Sequence, residues 1–224
     1  MEQGARSRPS VTMSRQDREP FILFAVGVAF LILSGLYPRD RFTWWLEVGP
    51  ILLGGPLLVA TYTCFRLTTL VYRLLFVHAA ILMVGGHYTY AETPIGFWME
   101  RAFGFARNHY DRIGHFAQGF IPAILAREIL LRRSPLVRGK WLFFLVTCVC
   151  MAISAFYELI EWWMALVTGE AAGAFLGTQG DPWDTQTDMF WALVGAIVAQ
   201  LTLARLHDRH LMHLTRRSPA KVTP

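Results

Sequence analysis

The chain has 224 residues, of which 54% are hydrophobic, and its mean hydropathy of +0.37 excludes an ordinary water-soluble domain. Its formal charge of +5 would suit a nucleic-acid-binding protein, but beside long apolar segments it indicates orientation in a membrane. The three cysteines lie in apolar runs without a Cys-x-x-Cys spacing, so we expect unpaired thiols and no zinc knuckle.

Six apolar segments, taken in chain order, are the candidate membrane spans. They run from about Phe21 to Leu36, Trp44 to Cys64, Leu67 to Gly86, Asp111 to Leu131, Trp141 to Val167 and Asp184 to Leu206. The sequence therefore predicts an all-α bundle of six transmembrane helices in one membrane domain, residues 20–206. Residues 1–19 and 207–224 are polar and basic, and we expect them to be cytoplasmic tails, the first of them disordered. No small-x-small cleavage site follows the first segment, which we interpret as a retained span.

The distribution of positive charge predicts the orientation of the spans. If the six segments cross the membrane in turn, 16 of the 21 Lys and Arg residues fall on the side that holds both tails. Cytoplasmic loops are enriched in Lys and Arg, so both termini are predicted to be cytoplasmic.

The fifth span contains two glutamates, Glu158 and Glu161, within a run of 27 residues from Trp141 to Val167. Their spacing places both on one face of a helix. A carboxylate at membrane depth costs about 3 kcal/mol on insertion scales, so such residues face the bundle interior and usually have a function. Two like charges in a low-dielectric site need a shared proton, a cation or a basic partner, and Arg112 and His115 are the nearest candidates.

Polar side chains at helical spacing mark two further spans. Asp111, His115 and Gln118 share one face of the fourth span, and Asp184 and Asp188 share one face of the sixth. Alternate spans run in opposite directions, which puts these residues at the same outer depth as the glutamates of the fifth span.

These groups are the candidate site, and several also have structural interpretations. Candidate catalytic residues are His115, Glu158, Glu161 and Asp188; candidate ligands for zinc or manganese are these four with Asp184 and His87; candidate supporting residues are Asp111, Arg112, Gln118 and Asp181. Asp111 and Asp184 also stand where helix N-caps belong. His87 could simply end a helix, and Asp181 before Pro182 is typical of a turn.

Four motifs give the chain a resemblance to a known family. They are Gly85-Gly86-His87-Tyr88-Thr89-Tyr90, Tyr110-Asp111-Arg112-Ile113-Gly114-His115-Phe116, Phe156-Tyr157-Glu158-Leu159-Ile160-Glu161-Trp162, and residues 177–188. With these the chain resembles the YjdF-like family of bacterial inner-membrane proteins, which has no established activity. The resemblance implies a multi-pass inner-membrane protein. Spans four to six are also similar to the VanZ-like family, which is associated with glycopeptide resistance.

Three functions are compatible with the sequence. The first is an outer-leaflet pocket that binds or processes a lipid-linked or amphiphilic envelope substrate, with a divalent metal held by His and carboxylate ligands. The second is a proton- or cation-coupled transporter. The third is a structural protein whose acid/His cluster ties helices together. No catalytic signature or cofactor motif supports a named reaction, so whether the protein is an enzyme is left open. Membrane lipids are the expected partners, and nucleic acid is not.

Overall fold

A computed structural model describes residues 15–169 and 173–217, and every regular element in them is helical. The helices are α1 (Arg15–Ser34), α2 (Arg41–Thr61), α3 (Thr69–Tyr88), α4 (Pro94–Phe103), α5 (Tyr110–Arg133), α6 (Lys140–Thr168), α7 (Gly173–Leu176) and α8 (Asp184–Arg217), with a 3₁₀ turn at Tyr90–Glu92. The all-α prediction is confirmed. Each predicted apolar segment coincides with one long helix.

Four of these helices are long and apolar enough to cross a membrane. They are α2, α3, α6 and the part of α8 that ends at Leu214. The other two long helices, α1 and α5, carry more charged residues. Those of α5 are Asp111 and Arg112 in the first turn, Arg132 and Arg133 in the last turn, and the buried pair Arg127 and Glu128 shortly before it.

Both predicted tails contain helical residues. Helix α1 begins at Arg15, so residues 15–19 belong to it. Helix α8 continues to Arg217, and His207, which the sequence places in the tail, is fully buried within it. The remaining parts of the predicted tails, residues 1–14 and 218–224, lie outside the described residues.

Several helices begin at residues whose side chains cap them. Asp40 accepts a hydrogen bond from the Thr43 amide at the start of α2, and Thr68 and Thr93 cap α3 and α4 in the same way. Each oxygen satisfies one of the first N–H groups of a helix, which have no intrahelical partner.

Helix α5 is the centre of the bundle. It packs against α3, α6 and α8, while α1 and α2 pack against α3. The largest core cluster draws its buried residues mainly from α3, α5, α6 and α8: Leu67, Leu70, Val71, Tyr72, Ala123, Ile124, Leu142, Val146, Cys150, Ala196 and Ala199. Because α5 is enclosed, its low hydropathy is compatible with a place inside a membrane domain.

The α5–α8 contact is backbone against backbone. A Cβ atom at Gly119 would overlap the carbonyl oxygen of Ala192, and one at Gly195 would overlap the carbonyl oxygen of Phe116. Glycine at both positions therefore sets the separation of the two helices, as small residues do where membrane helices pack closely.

A buried polar network joins α5, α8 and the start of α3 near the C-terminal end of α5. Glu128, fully buried, accepts hydrogen bonds from the Thr68 amide (3.0 Å) and hydroxyl (2.7 Å) and from Arg132 (2.7 Å). Its Oε2 atom also lies 3.0 Å from Nε2 of His207. Both carboxylate oxygens thus have partners, which a buried charge requires.

The same network fixes the tautomer of His207. Arg127 NH1 lies 2.8 Å from His207 Nδ1, and arginine can only donate. Nδ1 is therefore the acceptor, and the proton is on Nε2, which donates to Glu128. No motif in the sequence marks Glu128, and His207 falls in the predicted tail, so this connection was not predicted.

Candidate functional site

The outer end of α5 presents one imidazole between two polar neighbours from the same helix. His115 is 5% exposed. Its Nδ1 atom lies 3.1 Å from Oε1 of Gln118, and its Nε2 atom lies 3.4 Å from Oδ1 of Asp111. These residues stand three and four positions from His115, so the predicted shared face of the helix accounts for the arrangement.

Two further helices each add a carboxylate to His115. Glu158 of α6 places Oε1 3.8 Å from His115 Nδ1, and Asp188 of α8 places Oδ2 3.9 Å from Nε2. Both acids are buried, with 7% and 2% of their surface exposed. The structure therefore brings together His115, Glu158 and Asp188, as the sequence predicts. Their chemical role stays a prediction.

Asp111, His115 and Asp188 lie close enough together to hold a metal ion. One ligand atom from each lies within 4.8 Å of the other two, the one such set among the described residues. Ligand atoms that share an ion at about 2.1 Å are separated by about 3 to 4 Å, close to the 3.4 Å and 3.9 Å measured from His115 Nε2. Mixed imidazole and carboxylate ligands suit zinc or manganese.

Two carboxylate oxygens of the cluster have no hydrogen-bond partner within the described part of the chain. They are Oε1 of Glu158 and Oδ1 of Asp188, both inaccessible to solvent. Buried polar atoms are nearly always paired, so each such atom points to a water, a proton or an ion. This is the feature that distinguishes the outer cluster from the satisfied network around Glu128.

A cavity of about 110 Å³ adjoins the cluster. It is lined by Glu47, Pro50, His78, Leu82, Tyr90, Asp111, Gly114, His115, Gln118, Pro122, Ile153, Tyr157, Glu161 and Phe175. Its volume is well below the range of about 300–1,000 Å³ that is usual for drug-sized ligands. It fits a few waters, an ion or one small polar headgroup.

Glycines seat Tyr90 at this cavity. A Cβ atom at Gly114 would lie 2.7 Å from the Tyr90 ring, and one at Gly85 would overlap the same ring. The ring is 6% exposed and lies beside the carboxyl group of Glu47. Burial, and then the nearby Glu47 carboxylate, raise the pKa of Tyr90 well above its usual value, so the phenol stays protonated.

Known proteins resemble the chain over a region that includes the residues of the cluster and of the cavity. A family model described as a predicted membrane protein (DUF2238) matches residues 20–209. The chain belongs to this family. It is 55% identical over 182 residues to the inner membrane protein YjdF of Escherichia coli (strain K12), an alignment that covers 81% of this chain and 87% of that protein. No solved structure matches the chain significantly.

These similarities confirm the YjdF-like resemblance and an inner-membrane location. With the four apolar helices, they identify a multi-pass inner-membrane protein. The family model spans every helix that contributes to the cluster and to the cavity.

The structure places several predicted site residues outside the cluster. His87 donates a hydrogen bond from Nδ1 to the backbone carbonyl of Ser34 (2.8 Å) and does not line the cavity. Asp184 binds Arg107 at 2.9 Å and belongs to no metal-ligand set in the described residues. The prediction that these two residues share a site with His115 has no support in the measured contacts.

Arg112 was one of the two predicted basic partners of the glutamates, with His115, and it pairs elsewhere. Its NH2 atom lies 3.5 Å from Oδ2 of Asp181, which also pairs with Arg107 at 3.3 Å. Asp181 is thus a link between the segment before α5 and the loop before α8. Asp111 does not cap α5, because the N-cap position is His109.

Glu47, His78 and Tyr90 line the cavity but were missed from the sequence. Glu47 stands two turns into an apolar helix and is 4% exposed. The signal that identified the acids of the fifth span, a carboxylate within an apolar run, is also present at Glu47. His78, a histidine within the apolar run of the third span, carries a similar signal, whereas Tyr90, which follows α3, carries none. Glu161, by contrast, was predicted and does line the cavity.

Proposed function

We propose that the membrane domain crosses the inner membrane six times, with both termini in the cytoplasm. Six long helices support this, since α1 with 20 residues and α5 with 24 are about as long as α3 with 20 and α2 with 21. The segregation of Lys and Arg supports the orientation. On this topology the His115 cluster lies toward the periplasmic side, and the Glu128 network lies toward the cytoplasm.

Single-cysteine labelling tests the topology in a variant that lacks the three native cysteines. Val137, between α5 and α6, is 77% exposed, and Phe103, at the end of α4, is 63% exposed. A membrane-impermeant maleimide added to intact spheroplasts should label Phe103→Cys but not Val137→Cys. Labelling of both at equal rates, or the reverse pattern, contradicts the proposed orientation.

We infer that the cluster binds a divalent cation, with Asp111, His115 and Asp188 as ligands. The ion would hold the phosphate of a lipid-linked or amphiphilic substrate at the outer leaflet, and it supplies Lewis-acid chemistry when bound. Glu158 lies 3.8 Å from the other nitrogen of His115, where its charge would favour a proton on Nδ1 and leave Nε2 to bind the ion.

One observation carries this proposal. A buried imidazole contacts three carboxylates from three helices, while two carboxylate oxygens stay without hydrogen-bond partners in the described residues. A set of helices tied together only for stability would pair those oxygens, as the Glu128 network does. An ion bound at Nε2 of His115 would satisfy the Asp188 carboxylate and compensate the charges of Asp111 and Asp188, whereas Glu158 lies beside the other ring nitrogen.

Metal analysis of the detergent-purified protein tests the proposal. Wild-type protein should contain close to one equivalent of zinc or manganese, and His115→Ala and Asp188→Asn should contain almost none. His87→Ala is the matched control, because it removes a membrane histidine outside the cluster and should keep the metal. A folded wild-type protein without metal after growth in metal-supplemented medium, or a His115→Ala variant that retains it, overturns the proposal.

Proton-coupled transport is the second candidate, favoured by the number of acids. Glu47, Asp111 and Glu161 line one cavity, with Glu158 and Asp188 at its edge. Without a metal, so many carboxyl groups in a low-dielectric site would have to hold protons. That candidate predicts a metal-free protein and proton flux in proteoliposomes that is lost in Glu161→Gln.

A further inference from the structure

The cavity that adjoins His115 combines carboxylates with aromatic rings. Glu47 from α2 and Glu161 from α6 line it with the rings of Tyr90, Tyr157 and Phe175. The Tyr157 and Phe175 rings lie 6.3 Å apart between centroids. Among its lining residues in the described chain there is no lysine or arginine. We call this region the acidic–aromatic pocket.

The described lining supplies little positive charge for this pocket, because its basic side chains are His78 and His115, and His115 already pairs with three other carboxylates. Glu47 is 4% exposed, and the groups that act on its carboxyl group are the neutral Tyr90 and Tyr157, the acid Asp111 and the imidazole of His115. The hydroxyl oxygen of Tyr157 is buried and makes no hydrogen bond to any described residue. A buried carboxylate without a cation is costly, and the polar atoms here converge on a space large enough for a small group.

The shape of the donor set favours an organic cation over a second metal ion. In the described residues, neither Glu47 nor Glu161 belongs to a group of three metal-ligand atoms within 4.8 Å. An ammonium group needs longer distances, because its N–H···O bonds are about 2.8 Å and span more widely separated oxygens. Aromatic faces also attract an ammonium group through cation–π interaction, and a phenol hydroxyl can accept one of its hydrogens.

We propose that the acidic–aromatic pocket binds the primary ammonium group of a phosphate-bearing headgroup, with Glu47 and Glu161 as its counter-ions. The proposal rests on the cation site at His115, which would hold the phosphate of the same molecule. It deepens that function by specifying the substrate class, a zwitterionic aminoalkyl phosphate. The cavity volume of about 110 Å³ admits a headgroup of this size and leaves acyl chains outside, in the bilayer.

Calorimetric titration of the full-length, metal-loaded protein in detergent tests the charge preference. Phosphoethanolamine and ethyl phosphate carry the same phosphate, and only the first carries an ammonium group. Wild-type protein should bind phosphoethanolamine about tenfold to a hundredfold more tightly, the usual contribution of a charged hydrogen-bonded partner. Equal affinity for the two probes overturns the proposal without any variant.

Charge-neutral variants locate the effect. Glu47→Gln and Glu161→Gln should lose the preference for phosphoethanolamine while ethyl phosphate binding and metal content stay unchanged. Glu92→Gln is the matched control, because Glu92 pairs with Arg39 and does not line the cavity; it should keep the preference. If both cavity variants discriminate as wild type does, the assignment of the ammonium site is wrong.

Two further arms separate this proposal from the cation site and identify the source of the headgroup. Ethanolamine against 1-propanol probes the ammonium pocket without phosphate, so a preference for ethanolamine that Glu47→Gln abolishes supports the pocket even in a metal-free protein. Nanodiscs of phosphatidylethanolamine against phosphatidylglycerol then test the lipid-borne group. Selective quenching of protein fluorescence by the first lipid indicates a membrane lipid, whereas binding of the soluble probe alone indicates a free headgroup. Absence of both preferences overturns the proposal.

Discussion

Glu128→Gln tests whether the buried network on the cytoplasmic side is held as the hydrogen bonds indicate. The carboxylate uses both oxygens: Oε1 accepts from Arg132 and the Thr68 amide, and Oε2 accepts from the Thr68 hydroxyl and His207. A glutamine keeps the shape of the side chain but replaces one of these oxygens with an NH₂ donor.

The two orientations of that amide have different costs. An NH₂ group in place of Oε1 would face Arg132 and a backbone N–H, neither of which can accept. In place of Oε2 it would face the Thr68 hydroxyl, which can turn, and the Nε2–H of His207, which cannot. His207 cannot change tautomer while Arg127 donates to its Nδ1 atom. The less costly orientation places the NH₂ group at the position of Oε2. It leaves the buried Nε2–H of His207 unpaired, which costs about 1–3 kcal/mol, and it weakens the charge-assisted hydrogen bond from Arg132 by about 1 kcal/mol.

We therefore expect Glu128→Gln to lower the free energy of unfolding by about 2–4 kcal/mol. The measurement is reversible unfolding in mixed micelles of dodecyl maltoside and sodium dodecyl sulfate. Asp208→Asn is the matched control. Asp208 accepts hydrogen bonds from two arginines, but its side chain is 25% exposed. The substitution should therefore lower the free energy of unfolding by less than about 1 kcal/mol. A Glu128→Gln cost no larger than that of Asp208→Asn would refute the reasoning from burial and tautomer.

Two other substitutions follow from helix contacts. Gly119→Ala forces a Cβ atom against the Ala192 carbonyl and should lower the free energy of unfolding by about 1–3 kcal/mol. In the control, Gly54→Ala, the added Cβ atom meets nothing within 4 Å, so the free energy of unfolding should be unchanged or slightly higher. Similar values for the two variants would contradict backbone contact between α5 and α8. Arg107→Gln removes the cation between Asp181 and Asp184, so hydrogen exchange of residues 177–183 should be faster than in the wild-type protein. The control variant Arg101→Gln should leave the exchange of these residues unchanged. Unchanged exchange in Arg107→Gln would show that the ion pairs do not hold this loop.

The sequence was sufficient for the long helices and for the centre of the candidate site. The length of the apolar runs predicts the long helices, because a helix that crosses a bilayer needs about 20 apolar residues and a helix of a soluble domain does not. An acidic residue within an apolar run is unusual and is therefore easy to identify. The spacing of Asp111, His115 and Gln118 places them on one face of a helix by helix geometry alone. Those features are local, so a single helix reveals them.

The partners of charged residues could not be predicted in the same way. Arg112 is near Glu158 in predicted depth, yet it binds Asp181 because the loop before α8 folds back toward the start of α5. The side chain of Gln179 holds the loop in this position. Its Oε1 atom accepts a hydrogen bond from the backbone N–H of Asn108, and its Nε2 atom donates one to the backbone carbonyl of Asn108. Such pairing depends on loop conformation, which apolar periodicity does not encode.

Helix α5 carries polar clusters at both ends, and they differ in how well their atoms are paired. Around Glu128 each carboxylate oxygen accepts hydrogen bonds, whereas Asp188 is 2% exposed and keeps one oxygen unpaired in the described residues. Removing a charge should therefore destabilise the first cluster and relieve electrostatic cost in the second.

Asp188→Asn in the presence of a chelator gives the test of that difference. We expect its free energy of unfolding to equal or exceed that of chelated wild-type protein, since a buried, uncompensated charge is lost. Added zinc should then stabilise wild-type protein, because an ion that binds only the folded state raises its stability, and it should stabilise the variant much less. If Asp188→Asn is as destabilised as Glu128→Gln with the metal removed, the outer cluster is a structural tie between helices, and its unpaired oxygens have no ligand.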